Sequence, residues 1–126
     1  LDRSADYTMS HSDRLAELRE RLGVVHDLKR AGWLLGWDQH TMMPPKGTPS
    51  RGDQLSTIDR LAHELFISDE IGELLDSLAE YERELDPESI DAALIRVTRR
   101  DWEKARKVPA ELRAELTRAE VLGVPA

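Results

Sequence analysis

The sequence predicts an all-α protein, an antiparallel bundle of about four to five helices. Three observations carry that expectation. Leucine-rich apolar positions recur every three to four residues, the helical period, and no stretch alternates as a half-buried strand would. Charged residues make up 34% of the chain and aromatics only 5%, a balance suited to solvated helices. Finally, helix start and stop signals at Pro44-Pro45, Ser68-Asp69, Asp86-Pro87 and Val108-Pro109 divide the chain into helix-length pieces. The 126 residues suit one domain or one piece of a larger one.

The first helix is expected from about Ser12 to about Met42. Leu15, Leu18, Leu22, Val25 and Leu28 line one face. Glu17 and Arg21 sit four apart and should form a solvated pair. Gly23, Gly32 and Gly36 each weaken helicity by about 1 kcal/mol relative to Ala, so tertiary contacts must hold this helix. The glycines favour close packing, and a bend near Gly32 is the competing expectation. Pro44-Pro45 ends it, because proline disfavours helical geometry before it and donates no hydrogen bond. Thr48-Pro49 restarts the chain. The second helix should bury Leu55, Ile58, Leu61, Ala62 and Leu65. Ser68-Asp69-Glu70 starts a third, carried by Ile71, Leu74, Leu75, Leu78 and Leu85. Asp86-Pro87-Glu88 opens a fourth, with Ile90, Leu94 and Val97 turned inward and Trp102 further along. Leu112 and Leu116 begin a fifth after Val108-Pro109. Short connections make neighbouring helices antiparallel. Residues 1–11 are expected as a flexible leader with Met9 a candidate start, 12–120 as the helical domain and 121–126 as a tail.

A net charge of −7 argues against general nucleic-acid binding, which needs a basic face. With no cysteine, disulfides, thiolate metal sites and cysteine catalysis drop out. No apolar run approaches the roughly 18 residues of a membrane span, and the first residues lack a signal peptide's apolar stretch. The absence of cysteine is compatible with a reducing cytoplasm, and no membrane or nucleic-acid partner is expected.

Single constellations in the chain are mostly structural. His63-Glu64 begins like a His-Glu-x-x-His zinc helix, but Leu65, Phe66 and Ile67 follow and the second histidine is missing. A helix-surface histidine beside a solvated glutamate is the better reading, so no metal ligand and no cofactor are assigned to this chain. His11, His26 and His40 show no ligand spacing. The stretch 99–107, RRDWEKARK, is basic around Trp102, as suits a helix C-terminus anchored by its tryptophan. Trp33 and Trp37 share a face and are expected in the core.

The most specific stretch is GWDQHTMMPPKGTPSRGDQL, residues 36–55. It marks a helix-to-helix corner at Trp37, Asp38, Gln39, Met43, Pro44 and Arg51. Asp38 sits near a helix C-terminus, where an anion opposes the dipole and needs compensation. Arg51, just past the corner, is the expected partner, and an Asp38–Arg51 bridge would fix the angle between the first two helices.

LLGWDQHTMMPP, then RGDQLSTIDRLAHELFISDEIGELL, then LDPESIDAALIRVTRRDWEKARKVPAEL together resemble the N-terminal region of the carboxypeptidase Taq family, the M32 metallocarboxypeptidases. Trp37, Asp38, Gln39, Met43, Pro44, Arg51, Gln54, Leu55, His63, Glu64, Leu65, Phe66, Lys107 and Pro109 match positions expected of that family. His40 and Met42 depart, standing where an acidic and an aromatic residue are expected. The resemblance implies a single-zinc exopeptidase that releases C-terminal amino acids from peptides. It implies zinc held by a His-Glu-x-x-His helix and a later glutamate, with water activated at the metal. It also implies a cytoplasmic location and a dimer. None of those catalytic elements matches a residue of this chain. The resemblance therefore implies an N-terminal helical cap, inactive alone, whose partners are a second copy (homodimer) or the remainder of the carboxypeptidase. A free-standing helical protein-interaction module from a truncated gene is the alternative.

Overall fold

The computed structural model describes residues 9–41 and 48–121, the side chains of 38–41, 48 and 120 excepted. Those residues form α1 (His11–Thr41), α2 (Thr48–Phe66), α3 (Asp69–Ser77), α4 (Ala79–Glu84), α5 (Ile90–Ala105) and α6 (Ala110–Val121), and no strand. Helices α3 and α4 run end to end. Leu78 N–H donates to the Leu74 and Leu75 carbonyls and Glu82 N–H donates to the Leu78 carbonyl, so hydrogen bonding crosses the irregular residue. They are the single third helix that the sequence predicts, and the bundle has five rods.

Local chemistry sets the starts. Ser10 Oγ accepts from Asp13 N–H at 3.0 Å while Asp13 answers Ser10 N–H at 3.4 Å, a reciprocal cap at the head of α1. Ser68 caps α3 through Ile71 N–H, as expected. The fourth start is shifted. Asp86 accepts from Glu88 N–H to form a turn, and Ser89 is the residue whose Oγ caps α5 through Ala92 N–H.

Contacts fix the directions. Arg51 meets Leu35 and the Leu55–Ile58 turn meets Gly32, so α2 runs back along α1. His11 stacks near Tyr81 at 5.1 Å, so α3 and α4 continue in the direction of α2. The two residues Ile67 and Ser68 bend the chain without reversing it, since Ile67 N–H still donates to the His63 carbonyl. Helix α5 then returns, antiparallel to α3 and α4: Trp102 Nε1–H donates to the Ser68 carbonyl, and Arg99 reaches the Leu75 carbonyl and Glu82. Helix α6 continues it beside α2, where Arg113 meets Asp59 and Arg118 meets Asp53.

The core lies at the N-terminal end of α1. Leu18, Ile71, Leu75, Leu78 and Ile95 are fully buried there, with Leu15 and Leu74 beside them. Each such side chain contributes about 1.5–3 kcal/mol of transfer free energy. Leu22, Leu85, Leu94 and Trp102 pack against this cluster. Trp102 is thus the anchor the sequence suggests. Its ring lies so close to α3 that a Cβ on Gly72 would sit 2.5 Å from its Cζ2, so that glycine is required by packing. Gly32 differs, since a Cβ there would meet Ile58 and Leu55 at 3.5 and 3.7 Å, ordinary contact distances that leave room for alanine. Helix α1 passes through it without a break.

Two expected faces are corrected. Ile90 is 82% exposed and Val97 is also exposed; Ala92, Ile95 and Thr98 are the buried positions of α5. Because Ser89 caps the helix, Ile90 falls in the open first turn and the inward stripe starts two residues later. In α2, Leu55 and Ala62 are buried but Leu61 and Leu65 are exposed. The reason is α6, which docks on the polar side of α2. Asp59 accepts from Arg113 Nε at 2.8 Å and from Thr117 Oγ1 at 2.7 Å, and Ser56 Oγ donates to the Ala114 carbonyl at 3.0 Å. That seam turns α2 so that its outer leucines face away from the bundle. The expected Glu17–Arg21 pair is present at 3.0 Å.

Candidate functional site

The candidate site is the C-terminal half of α1 with the first turn of α2. Here the expectation for the tryptophans is overturned. Trp33 is 80% exposed and Trp37 is 65% exposed, with exposed Leu34 beside them. They do share a face, but α2 packs on the opposite side of α1, against Gly32 and the Leu35 backbone. The result is an apolar ridge along α1 bordering an open hollow lined by Gly32, Trp33, Leu34, Gly36 and Trp37. Single exposed apolar residues need no explanation, whereas two adjacent indoles and a leucine on one face form a contact surface.

Arg51 ties the corner from the other side. It is half-buried in the first turn of α2, and its Nη1 donates to the Leu35 carbonyl at 2.8 Å. The clasp joins α2 to α1 across sixteen residues of chain. Of the other expected corner residues, the side chains of Asp38 and Gln39, and all of Met43 and Pro44, lie outside the described residues. The expected Asp38–Arg51 bridge lies outside them too. What the sequence reading missed is the Leu35 carbonyl, since a backbone acceptor carries no side-chain signature.

His63 is half-buried and Glu64 exposed. The His63 Nε2–H donates to the Val108 carbonyl, where the chain turns from α5 into α6. That hydrogen bond engages one of the two ring nitrogens and ties α2 to the α5–α6 connection. Among the described residues no three His, Cys, Asp or Glu side chains are grouped to hold a metal ion. The described residues thus offer no three-ligand set of the kind zinc takes. No described helix is long and apolar enough to cross a membrane.

Fold and site together define an all-helical segment that presents an aromatic ridge and carries no metal-ligand set among its described residues. The chain belongs to the carboxypeptidase Taq (M32) metallopeptidase family, whose model matches residues 17–124. It is 38% identical over 93 residues to the protein named thermostable carboxypeptidase 1 from Thermus thermophilus. That match takes in 74% of this chain and 18% of the relative, so the chain spans about a fifth of the curated protein it matches. No solved structure matches it.

Proposed function

We propose that this chain is the N-terminal helical part of a metallocarboxypeptidase that releases C-terminal amino acids from peptides. The observation that carries the proposal is the family match over residues 17–124. In this reading the chain supplies no catalytic group. The metal expected of the family is zinc, held by a His-Glu-x-x-His helix and a glutamate supplied from outside these residues. The helices described here form one wall or lid of the substrate groove, and the ridge at Trp33, Leu34 and Trp37 is covered by the remainder of the enzyme. Without that remainder, a second copy covers it. The setting is cytoplasmic, and neither nucleic acid nor membrane is a partner.

The experiment is a carboxypeptidase assay with metal analysis. The chain is measured alone and after mixing with a separately expressed M32 segment that contains the His-Glu-x-x-His helix. The expected result is no activity and no stoichiometric zinc alone, with activity raised above that of the added segment when the two are combined. Activity or tight zinc binding by the chain alone would overturn the reading, as would failure of the two parts to associate.

A further inference from the structure

A cleft of about 430 Å3 opens between α1, α2, α5 and the start of α6, a size within the range of small-molecule sites. Leu22, Val25 and Phe66 give it an apolar side. One hydroxyl is set into it: Thr98, only 7% exposed, lines the cleft and makes no side-chain hydrogen bond with any described residue. The hydroxyl oxygen is not one of the solvent-excluded polar atoms left without a partner, so it is open to the cleft and available to a ligand as donor or acceptor.

The walls carry opposite charges at one level. Arg19 and Asp91 form an ion pair between α1 and α5, which run in the same direction. Both helices rise about 1.5 Å per residue. Lys29 and Asp101, each ten residues further on, therefore stand at about the same height, and both line the cleft. They do not pair with each other. Lys29 Nζ lies 5.8 Å from the Phe66 ring centroid, and among the described residues Asp101 pairs with the neighbouring Arg100, at 3.8 Å. At the rim, Asp59 accepts from Arg113 Nε at 2.8 Å, and exposed His26 also lines the opening; Lys29 and Asp101 are the lining charges on facing walls that no ion pair between helices engages among the described residues.

We propose that this cleft binds a free α-amino acid with an apolar side chain. The carboxylate pairs with Lys29 and accepts from the Thr98 hydroxyl. The ammonium pairs with Asp101, and the side chain lies against Leu22, Val25 and Phe66. The inference does not depend on the peptidase reading, since it rests on the cleft alone.

The test is titration of the isotope-labelled 126-residue chain by NMR, with L-leucine as the probe. Leucinamide lacks the carboxylate, N-acetylleucine lacks the ammonium, and glycine lacks the apolar side chain. Leucine should give saturable shifts on the α1 and α5 walls. Each analogue should bind about tenfold or more weakly, the scale of one lost charge-assisted contact. Lys29→Gln and Asp101→Asn change exposed residues, so the fold should persist while leucine binding falls by a similar factor. Thr98→Val keeps the shape and should weaken binding without removing it. No saturable shift at millimolar leucine would overturn the proposal, and is the result expected if water or another protein segment fills the cleft. Equal binding of leucine and leucinamide, or binding unchanged in both charge variants, would overturn it as well.

Discussion

Trp33 and Trp37 behave unlike Trp102, and the difference shows what a single residue's sequence context reveals. Trp102 sits one helical step from Thr98 on a stripe that ends at α3, and its indole N–H reaches the Ser68 carbonyl at 3.3 Å. Trp33 and Trp37 share a face equally well, but periodicity says only that two residues point the same way. It does not say what stands opposite. Three substitutions separate these cases in denaturant melts. Trp37→Ala should cost under about 1 kcal/mol, as exposed positions do; a loss above about 2 kcal/mol would put the ring in a core. Leu18→Ala, at a fully buried position, should cost about 3 kcal/mol or more. Gly72→Ala forces Trp102 out of its seat and should cost about 1–3 kcal/mol. It should also red-shift the tryptophan emission, and an unchanged spectrum would contradict the contact.

At the scale of helices, legibility follows the strength of the apolar period. Leu15, Leu18, Ile71, Leu75 and Leu78 were readable because leucine and isoleucine recur without competition. The register of α5 was not, because Ile90, Leu94 and Val97 mimic a face as well as Ala92, Ile95 and Thr98 do. The cap decides between them, and serine, aspartate and proline all stand within four residues of the start. Ser89→Ala should therefore lower stability by about 1 kcal/mol. The same change at a non-capping position should do little. The corner was legible as a corner, through its prolines, but the Leu35 carbonyl that receives Arg51 left no trace in the sequence. Arg51→Gln should cost about 1.5–3 kcal/mol through that charged hydrogen bond. The expected Asp38 bridge is testable separately. In a double-mutant cycle with Asp38→Asn, a coupling energy above about 1 kcal/mol would place the two side chains in contact. A value near zero would leave Asp38 free for another role, such as facing the substrate groove proposed above.

For the whole molecule, the asymmetry of burial argues for association. The N-terminal half of α1 is enclosed by α3, α4 and α5, while among the described residues its C-terminal half packs mainly on α2 and carries the ridge outside. Two largely exposed indoles and Leu34 offer on the order of 400 Å2 of apolar surface, taking about 150–250 Å2 for a whole aromatic side chain. A stable interface needs about 800 Å2 per partner. The expected outcome is therefore a weak isologous dimer through the ridge, with a dissociation constant in roughly the micromolar range or weaker. Sedimentation over a range of concentrations should show a monomer–dimer equilibrium for the chain as it stands. Trp33→Ser combined with Trp37→Ser should shift it to monomer while leaving the melting transition nearly unchanged, because neither ring is buried in the fold. A strictly monomeric parent chain would sink the prediction. So would a double variant that still dimerises, since the contact would then lie on another face, such as the exposed Leu61 and Leu65 of α2.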